Sequence, residues 1–132
     1  TCLSGVIRFA CLFMKKIFLE IRSKIHGLIH CSGGAQTKIL HYIDDLHIIK
    51  DNLFELPPLF EMIQSESGTE WKEMYQVFNM GHRLEVYLPE SYAATVIDIS
   101  KSFGIDAQII GRVESSAIKK LTIESTYGDF EY

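Results

Sequence analysis

Residues 25–38, Ile-His-Gly-Leu-Ile-His-Cys-Ser-Gly-Gly-Ala-Gln-Thr-Lys, decide the fold. The first six are short and apolar and read as a buried strand. Ser32-Gly33-Gly34 then reads as a tight turn. Residues 37–43 follow as a short helix candidate. A strand that passes into a helix through small residues implies a sheet with helices packed against it.

Downstream, 46–49 is a short strand stopped by Asp51-Asn52. Pro57-Pro58 opens a helix, since proline suits the first helical turn. Leu59, Phe60, Met62 and Ile63 are its apolar residues and Gly68 its stop. Thr69 is the expected cap of the next helix, with Glu70 and Glu73 favourable near the N-terminus. Trp71, Met74, Tyr75 and Phe78 share one face of it, and Asn79-Met80-Gly81 is a turn. Residues 83–88 alternate, which predicts a half-exposed strand: Leu84, Val86 and Leu88 inward, Arg83, Glu85 and Tyr87 outward. Pro89 and Glu90 start a helix with Ala93, Val96, Ile97 and Phe103 inward, and Gly104 ends it. Residues 107–113 and 119–123 are strands, and 127–132 a tail. The predicted order is α-β-α-β-α-α-β-α-β-β, an α+β fold in α/β/α layers with a mixed sheet covered by helices.

Upstream, Ile7, Cys11, Met14, Phe18, Ile21 and Ile25 recur at steps of three and four, the stripe of a core-packing helix over 7–25. The first six residues have no evident role, so 1–24 reads as an N-terminal segment with a helix and 25–132 as the domain proper. The charge is uneven: residues 1–30 carry a net +4 and residues 31–132 a net −8. The basic end is not a targeting signal, because Lys15 and Lys16 follow its apolar run instead of preceding it. No stretch approaches the ~20 apolar residues of a membrane span. With 132 residues, 47% hydrophobic, the chain has the composition of one globular domain. Its net charge of −4 lacks the basic face that nucleic acid requires. Three cysteines, Cys2, Cys11 and Cys31, are too few for a disulfide framework, which points to a reducing, cytoplasmic setting. The chain opens on Thr1, not Met, and is expected to be a processed product or a piece of something longer.

Two segments could carry chemistry. In the first, Gly33 and Gly34 let backbone amides converge, while Ser32, Thr37 and Lys38 add donors. It reads either as a loop for a phosphate or polar substrate, or as a turn that merely needs glycine. It is neither GxGxxG nor a GxxxxGK[ST] loop, so a nucleotide is not implied. Cys31 reads as a structural thiol, since neighbouring His30 points to the opposite face of a strand. His26, His30, His41, His47 and His82 have no metal-ligand spacing, and no metal is expected. The second segment is Glu73-Met74-Tyr75-Gln76-Val77-Phe78-Asn79-Met80-Gly81, a helix end and a turn. The Asn79 amide needs a partner there, either backbone or substrate.

Together, at this separation, the two segments resemble the C-terminal domain of the phosphoribosylformylglycinamidine cyclo-ligase (aminoimidazole ribonucleotide synthetase) family. That family has a His-x-Thr-Gly-Gly-Gly loop and, later, Glu-Met-Tyr-x-x-Phe-Asn-x-Gly. Here His30, Ser32, Gly33, Gly34 and Ala35 fall on the first, and Glu73, Met74, Tyr75, Phe78, Asn79 and Gly81 on the second. Pro58-Leu59-Phe60 resembles the family's Pro-x-Phe helix start, and Ile110-Gly111-Arg112-Val113 its Ile-Gly strand. The likeness covers about residues 24–115.

The resemblance implies a fold partly similar to the ferredoxin-like one. It implies an enzyme that makes aminoimidazole ribonucleotide from formylglycinamidine ribonucleotide with ATP and Mg²⁺, in purine biosynthesis. ATP phosphorylates the formyl amide oxygen and the ring nitrogen displaces phosphate. It further implies an N-terminal ATP-binding domain, absent from these residues, and a homodimer. The present chain would be the substrate-side part, about half of the enzyme and inactive on ATP alone. The implied substrate-binding set is His30, Ser32, Gly33, Gly34, Ala35, Gln36, Thr37, Asn79 and Arg83. Departures are visible: the third loop glycine is Ala35, where positive φ is then not expected. The Asn-Ile-Pro-Arg that follows the loop in the family is absent, and Arg83 is a candidate for the lost positive charge. The alternatives are a non-catalytic phosphate- or small-molecule-binding module, or a fragment of another ATP-dependent enzyme of the superfamily.

Overall fold

The computed structural model describes residues 2–5 and 10–132. A seven-stranded mixed sheet runs through it in the order β2-β4-β1-β5-β3-β6-β7. The strands are β1 (Cys2–Gly5), β2 (Gly27–His30), β3 (Leu46–Lys50), β4 (Leu84–Tyr87), β5 (Ala107–Ser115), β6 (Lys120–Ser125) and β7 (Gly128–Glu131). The helices are α1 (Ala10–Ile21), α2 (Pro58–Ser67), α3 (Trp71–Val77) and α4 (Ala93–Ser102). Among the described residues only β3 and β6 pair in parallel; the other neighbours are antiparallel. The α+β architecture expected from the sequence is the one observed.

Side chains alternate across a strand, so the sheet feeds two cores. On one face Leu84, Val86 and Leu88 pack with Phe13, Ile17 and Ile21 of α1 and with Ala93, Val96 and Ile99 of α4. On the other face Ile48, Ile110, Leu121 and Ile123 pack with Met74 and Tyr75 of α3. Helical layers on both faces explain why β4 is buried at all four positions instead of half-exposed. The alternation in β4 is real, but its second face lies under another layer.

The α1 stripe differs from expectation. Phe13, Ile17 and Ile21 are buried, whereas Phe18 is 41% exposed and Met14 only partly covered. Residues 12–19 are apolar nearly all round, so periodicity alone admits two stripes offset by one residue. The helix gives way at Arg22–Lys24 to a 3-10 turn, and Ile25 is extended. Ile7 and the Cys11 side chain lie outside the described residues.

Both ends of the chain join the sheet. Cys2–Gly5, within the opening stretch that has no evident role in the sequence, form β1 between β4 and β5. The expected tail includes β7, paired with β6. Trp71 stacks on Tyr127 at 3.8 Å, and Tyr132 donates to the Lys72 carbonyl at 2.5 Å, so the C-terminal residues hold α3 in place. Gly68 and Gly104 follow α2 and α4 with φ of +66° each, the expected helix stops. Thr69 is not the cap of α3; Glu70 holds that position, without a side-chain cap bond.

Gly111 shows how closely β3 and β5 approach. A Cβ built on it would lie 1.9 Å from the Ile49 carbonyl oxygen, which is main chain and has no rotamer to escape into. Gly111→Ala is therefore expected to destabilise the domain by about 3 kcal/mol or more, read from its urea unfolding midpoint. A variant within about 0.5 kcal/mol of the parent would contradict this packing.

Candidate functional site

The glycine loop joins β2 to a 3-10 helix, Ala35–His41. Within it Ala35 N–H donates to the Ser32 carbonyl at 2.8 Å and Thr37 N–H to the Gly34 carbonyl at 2.9 Å. The Thr37 hydroxyl donates to the same Gly34 oxygen at 3.0 Å. The Lys38 ammonium donates to the His30 carbonyl at 2.9 Å and to Ser32 Oγ at 2.5 Å. Lys38 thus ties the two ends of the loop together. The side chains of His30 and Ser32 are exposed, and a Cβ at Gly33 would meet nothing within 4 Å among the described residues. Ala35 is buried and adopts φ +32°, so the position does require positive φ, contrary to the expectation from sequence. Cys31 is buried, with its thiol 3.9 Å from the Ile29 carbonyl.

The second segment forms the end of α3 and a turn. Asn79 Oδ1 accepts from Gly81 N–H at 3.0 Å, and the Asn79 carbonyl accepts from His82 N–H at 2.9 Å. The Asn79 side chain has the backbone partner considered from sequence. Met80 and Gly81 take φ of +51° and +91°. A Cβ at Gly81 would sit 2.9 Å from Pro57 Cγ, so glycine is required by both φ and space.

The two segments meet. Gln36 Nε2 donates to the Asn79 carbonyl at 2.9 Å, across 43 residues of sequence. A cleft of about 710 Å³ opens between Gly33, Gly34 and Thr37 on one side and Glu70, Glu73 and Gln76 on the other. Arg83 lies at the root of the loop, its carbonyl accepting from Cys31 N–H at 2.9 Å while its side chain is exposed. His30, Ser32, Gly33, Gly34, Thr37, Asn79 and Arg83 are therefore gathered at one end of β2 and β4. Ala35 and Gln36 are buried behind them, and the Gln36 side chain is committed to protein partners.

Beneath the loop lies a buried polar network that the sequence did not disclose. Lys50, fully buried, donates to Gln36 O at 2.8 Å, to Gln36 Oε1 at 2.9 Å and to Glu85 Oε1 at 2.5 Å. Tyr87 OH donates to the other Glu85 oxygen at 2.7 Å. Tyr87 also lines a second groove of about 790 Å³ with Leu28, Ile39, Tyr42 and Leu46, and His30 and Lys38 of the loop line this groove and not the first cleft. Glu85 alone carried a signal, a charge between apolar residues of its strand, whereas Lys50 ends β3 beside Asp51. Among the described residues no three His, Cys, Asp or Glu side chains are grouped to hold a metal ion.

His82 is 1% exposed, and among the described residues neither of its ring nitrogens has a hydrogen-bond partner. Phe54 packs against it, ring centroids 5.2 Å apart. Burial, and to a lesser degree the Lys50 charge, lowers its pKa to about 3.

The fold is shared with solved structures. T. maritima PurL complexed with AMPPCP gives a TM-score of 0.63 at 13% identity, over 99% of this chain and 24% of that one. E. coli HypE, a hydrogenase maturation protein, gives 0.60 at 18% identity, over 89% of this chain and 36% of that one. The sequence carries the likeness further. Residues 12–124 match the family described as AIR synthase related protein, C-terminal domain, and the chain belongs to that family. Its curated relatives include the phosphoribosylformylglycinamidine cyclo-ligases of Methanocaldococcus jannaschii and Methanopyrus kandleri. The first is 36% identical over 80% of this chain, the second 35% identical over 69%. The matched region spans only 31% and 26% of those proteins, less than the half expected from sequence.

The buried imidazole makes a prediction about acid. Above the ordinary histidine pKa of 6.5, folded and unfolded chains both hold His82 neutral. Between 6.5 and about 3 the unfolded chain binds the proton and the folded one does not, so stability falls as pH falls. The loss attributable to His82 is about 1.4 kcal/mol per pH unit. Urea unfolding from pH 7 to 4.5 should fall more steeply for the parent than for His82→Leu by that amount. Parallel slopes would contradict it.

Proposed function

We propose that this chain is the substrate-side domain of an ATP-dependent cyclo-ligase that converts formylglycinamidine ribonucleotide to aminoimidazole ribonucleotide. Support comes from the family, from cyclo-ligase relatives at 36% and 35% identity, and from the two segments characteristic of the resemblance. The single observation that carries the reading is the Gln36 Nε2 bond to the Asn79 carbonyl. It places the glycine loop and the Asn79 turn against one another, although 43 residues separate them in sequence.

In this reading the loop, with His30, Ser32, Gly33, Gly34 and Thr37, receives the substrate's phosphate or other polar groups. Arg83 supplies positive charge at the loop's root, where Lys38 is already bound to His30 and Ser32. Ala35, Gln36 and Asn79 hold the loop's shape from behind. ATP and Mg²⁺ would be bound by the remaining length of a protein such as the relatives, in a cytoplasmic homodimer. Among the described residues, no helix is long and apolar enough to cross a membrane.

Titration of the ¹⁵N-labelled chain with ribose 5-phosphate tests this. Shifts are expected at the amides of residues 32–37, with Arg83→Ala weakening binding roughly tenfold, the loss of one charge-assisted hydrogen bond. An absence of shifts in that segment would overturn the phosphate-loop reading. Unchanged binding by Arg83→Ala would remove Arg83 from it.

A further inference from the structure

We propose that Lys50 is the positioning residue that makes the glycine loop and the Asn79 turn one rigid unit, by fixing which way the Gln36 amide faces. The inference goes beyond the proposed function, because it concerns the architecture of loop and turn whether or not a nucleotide binds them.

Lys50 ends β3, beneath both segments. An ammonium has three N–H donors and no acceptor, and all three donors are used here. Two go to Gln36, one to its main-chain oxygen and one to Oε1. Because Lys50 can only donate, it selects the amide oxygen of Gln36 and leaves the NH₂ group pointing the opposite way. That NH₂ group meets the Asn79 carbonyl, which can only accept. A flipped Gln36 would place NH₂ against an ammonium and a carbonyl against a carbonyl, losing both bonds. Glu85 balances the Lys50 charge and is itself held by Tyr87 OH. One cation therefore sets an orientation whose effect appears on the far side of the amide.

The backbone on either side needs such a clamp. Ala35, next to Gln36, and Met80, next to Asn79, are the two non-glycine residues with positive φ among the described residues. Both are buried. Such residues persist only where their surroundings over-determine them. The clamp grips the residue beside each: the carbonyl and side chain of Gln36, and the carbonyl of Asn79.

Hydrogen exchange of the full chain, followed residue by residue, tests the proposal without any ligand. Gln36→Glu, ionised, keeps an acceptor for Lys50 but has no donor for Asn79. It should speed exchange of the Gly81 and His82 amides roughly tenfold while leaving Ala35 and Thr37 unchanged. Lys50→Met combined with Glu85→Leu should speed all four amides by that factor. The Leu121 and Tyr132 amides, bonded to one another's carbonyls at the other edge of the sheet, should change less than about twofold in either variant. Equal acceleration at Leu121 and Tyr132 would make the network a general stabiliser and overturn the proposal, as would unmoved Gly81 and His82 amides in folded Gln36→Glu. If the double variant does not fold, Gln36→Glu decides alone. A separate titration of the parent with inorganic phosphate keeps the two readings apart: no binding would count against the phosphate loop and leave the exchange result standing.

Discussion

The Lys50 ammonium is buried between β3, β4 and the start of the 3-10 helix, and the arrangement of the surrounding loops depends on how its charge is met. Desolvating a lysine costs several kcal/mol, which is tolerable only with an opposite charge and full hydrogen bonding. Glu85 supplies the charge, and the two Gln36 oxygens complete the shell. Glu85 in turn needs partners on both oxygens and finds the second in Tyr87. Each group in the chain is satisfied by the next. Losing a single member would leave a buried polar atom unpaired, which costs more than the bond contributes when made.

The network constrains the geometry above it. Gln36 cannot shift without breaking two bonds to Lys50 and one to Asn79. Its neighbour Ala35 is thereby held at φ +32°, where an L-residue is disfavoured. Gly81 is held from another side, since Pro57 fills the space that a side chain would occupy. The loop and the turn are shaped from below and behind, while Gly33 keeps an open outer surface. That division suits a surface that must present main-chain groups in a fixed arrangement.

Much of this architecture was legible in the residues. The Gly-Gly turn after 25–30, the proline-led helix α2 and the Asn-Met-Gly turn each rest on a local conformational preference, and local preferences survive folding. The α1 stripe was misplaced because a segment apolar nearly all round gives periodicity little purchase. The second face of β4 was missed for a different reason. Alternation reports that two faces differ, not that the polar one is wet, and Glu85 reads as solvent-facing until Lys50, 35 residues earlier, is known to reach it. Long-range pairing of buried charges has no sequence periodicity to reveal it. Neither has the orphaned His82, which looks like any turn histidine until Phe54 covers it.

Alanine at position 35, with positive φ, bears on how the candidate site is built. A loop position with positive φ normally goes to glycine, because a Cβ there costs of order 1 kcal/mol. Alanine at that position implies that compensating interactions lie close by, and Ala35 is both fully buried and adjacent to Gln36, which is held by two bonds from Lys50 and one to Asn79. The methyl adds apolar contact to the core beneath the loop, and the Lys50–Gln36 bonds resist relaxation of the backbone. Curvature that glycine provides through freedom is here provided through clamping. Lys50 and Glu85 are therefore part of what holds this bend at a residue that carries a Cβ.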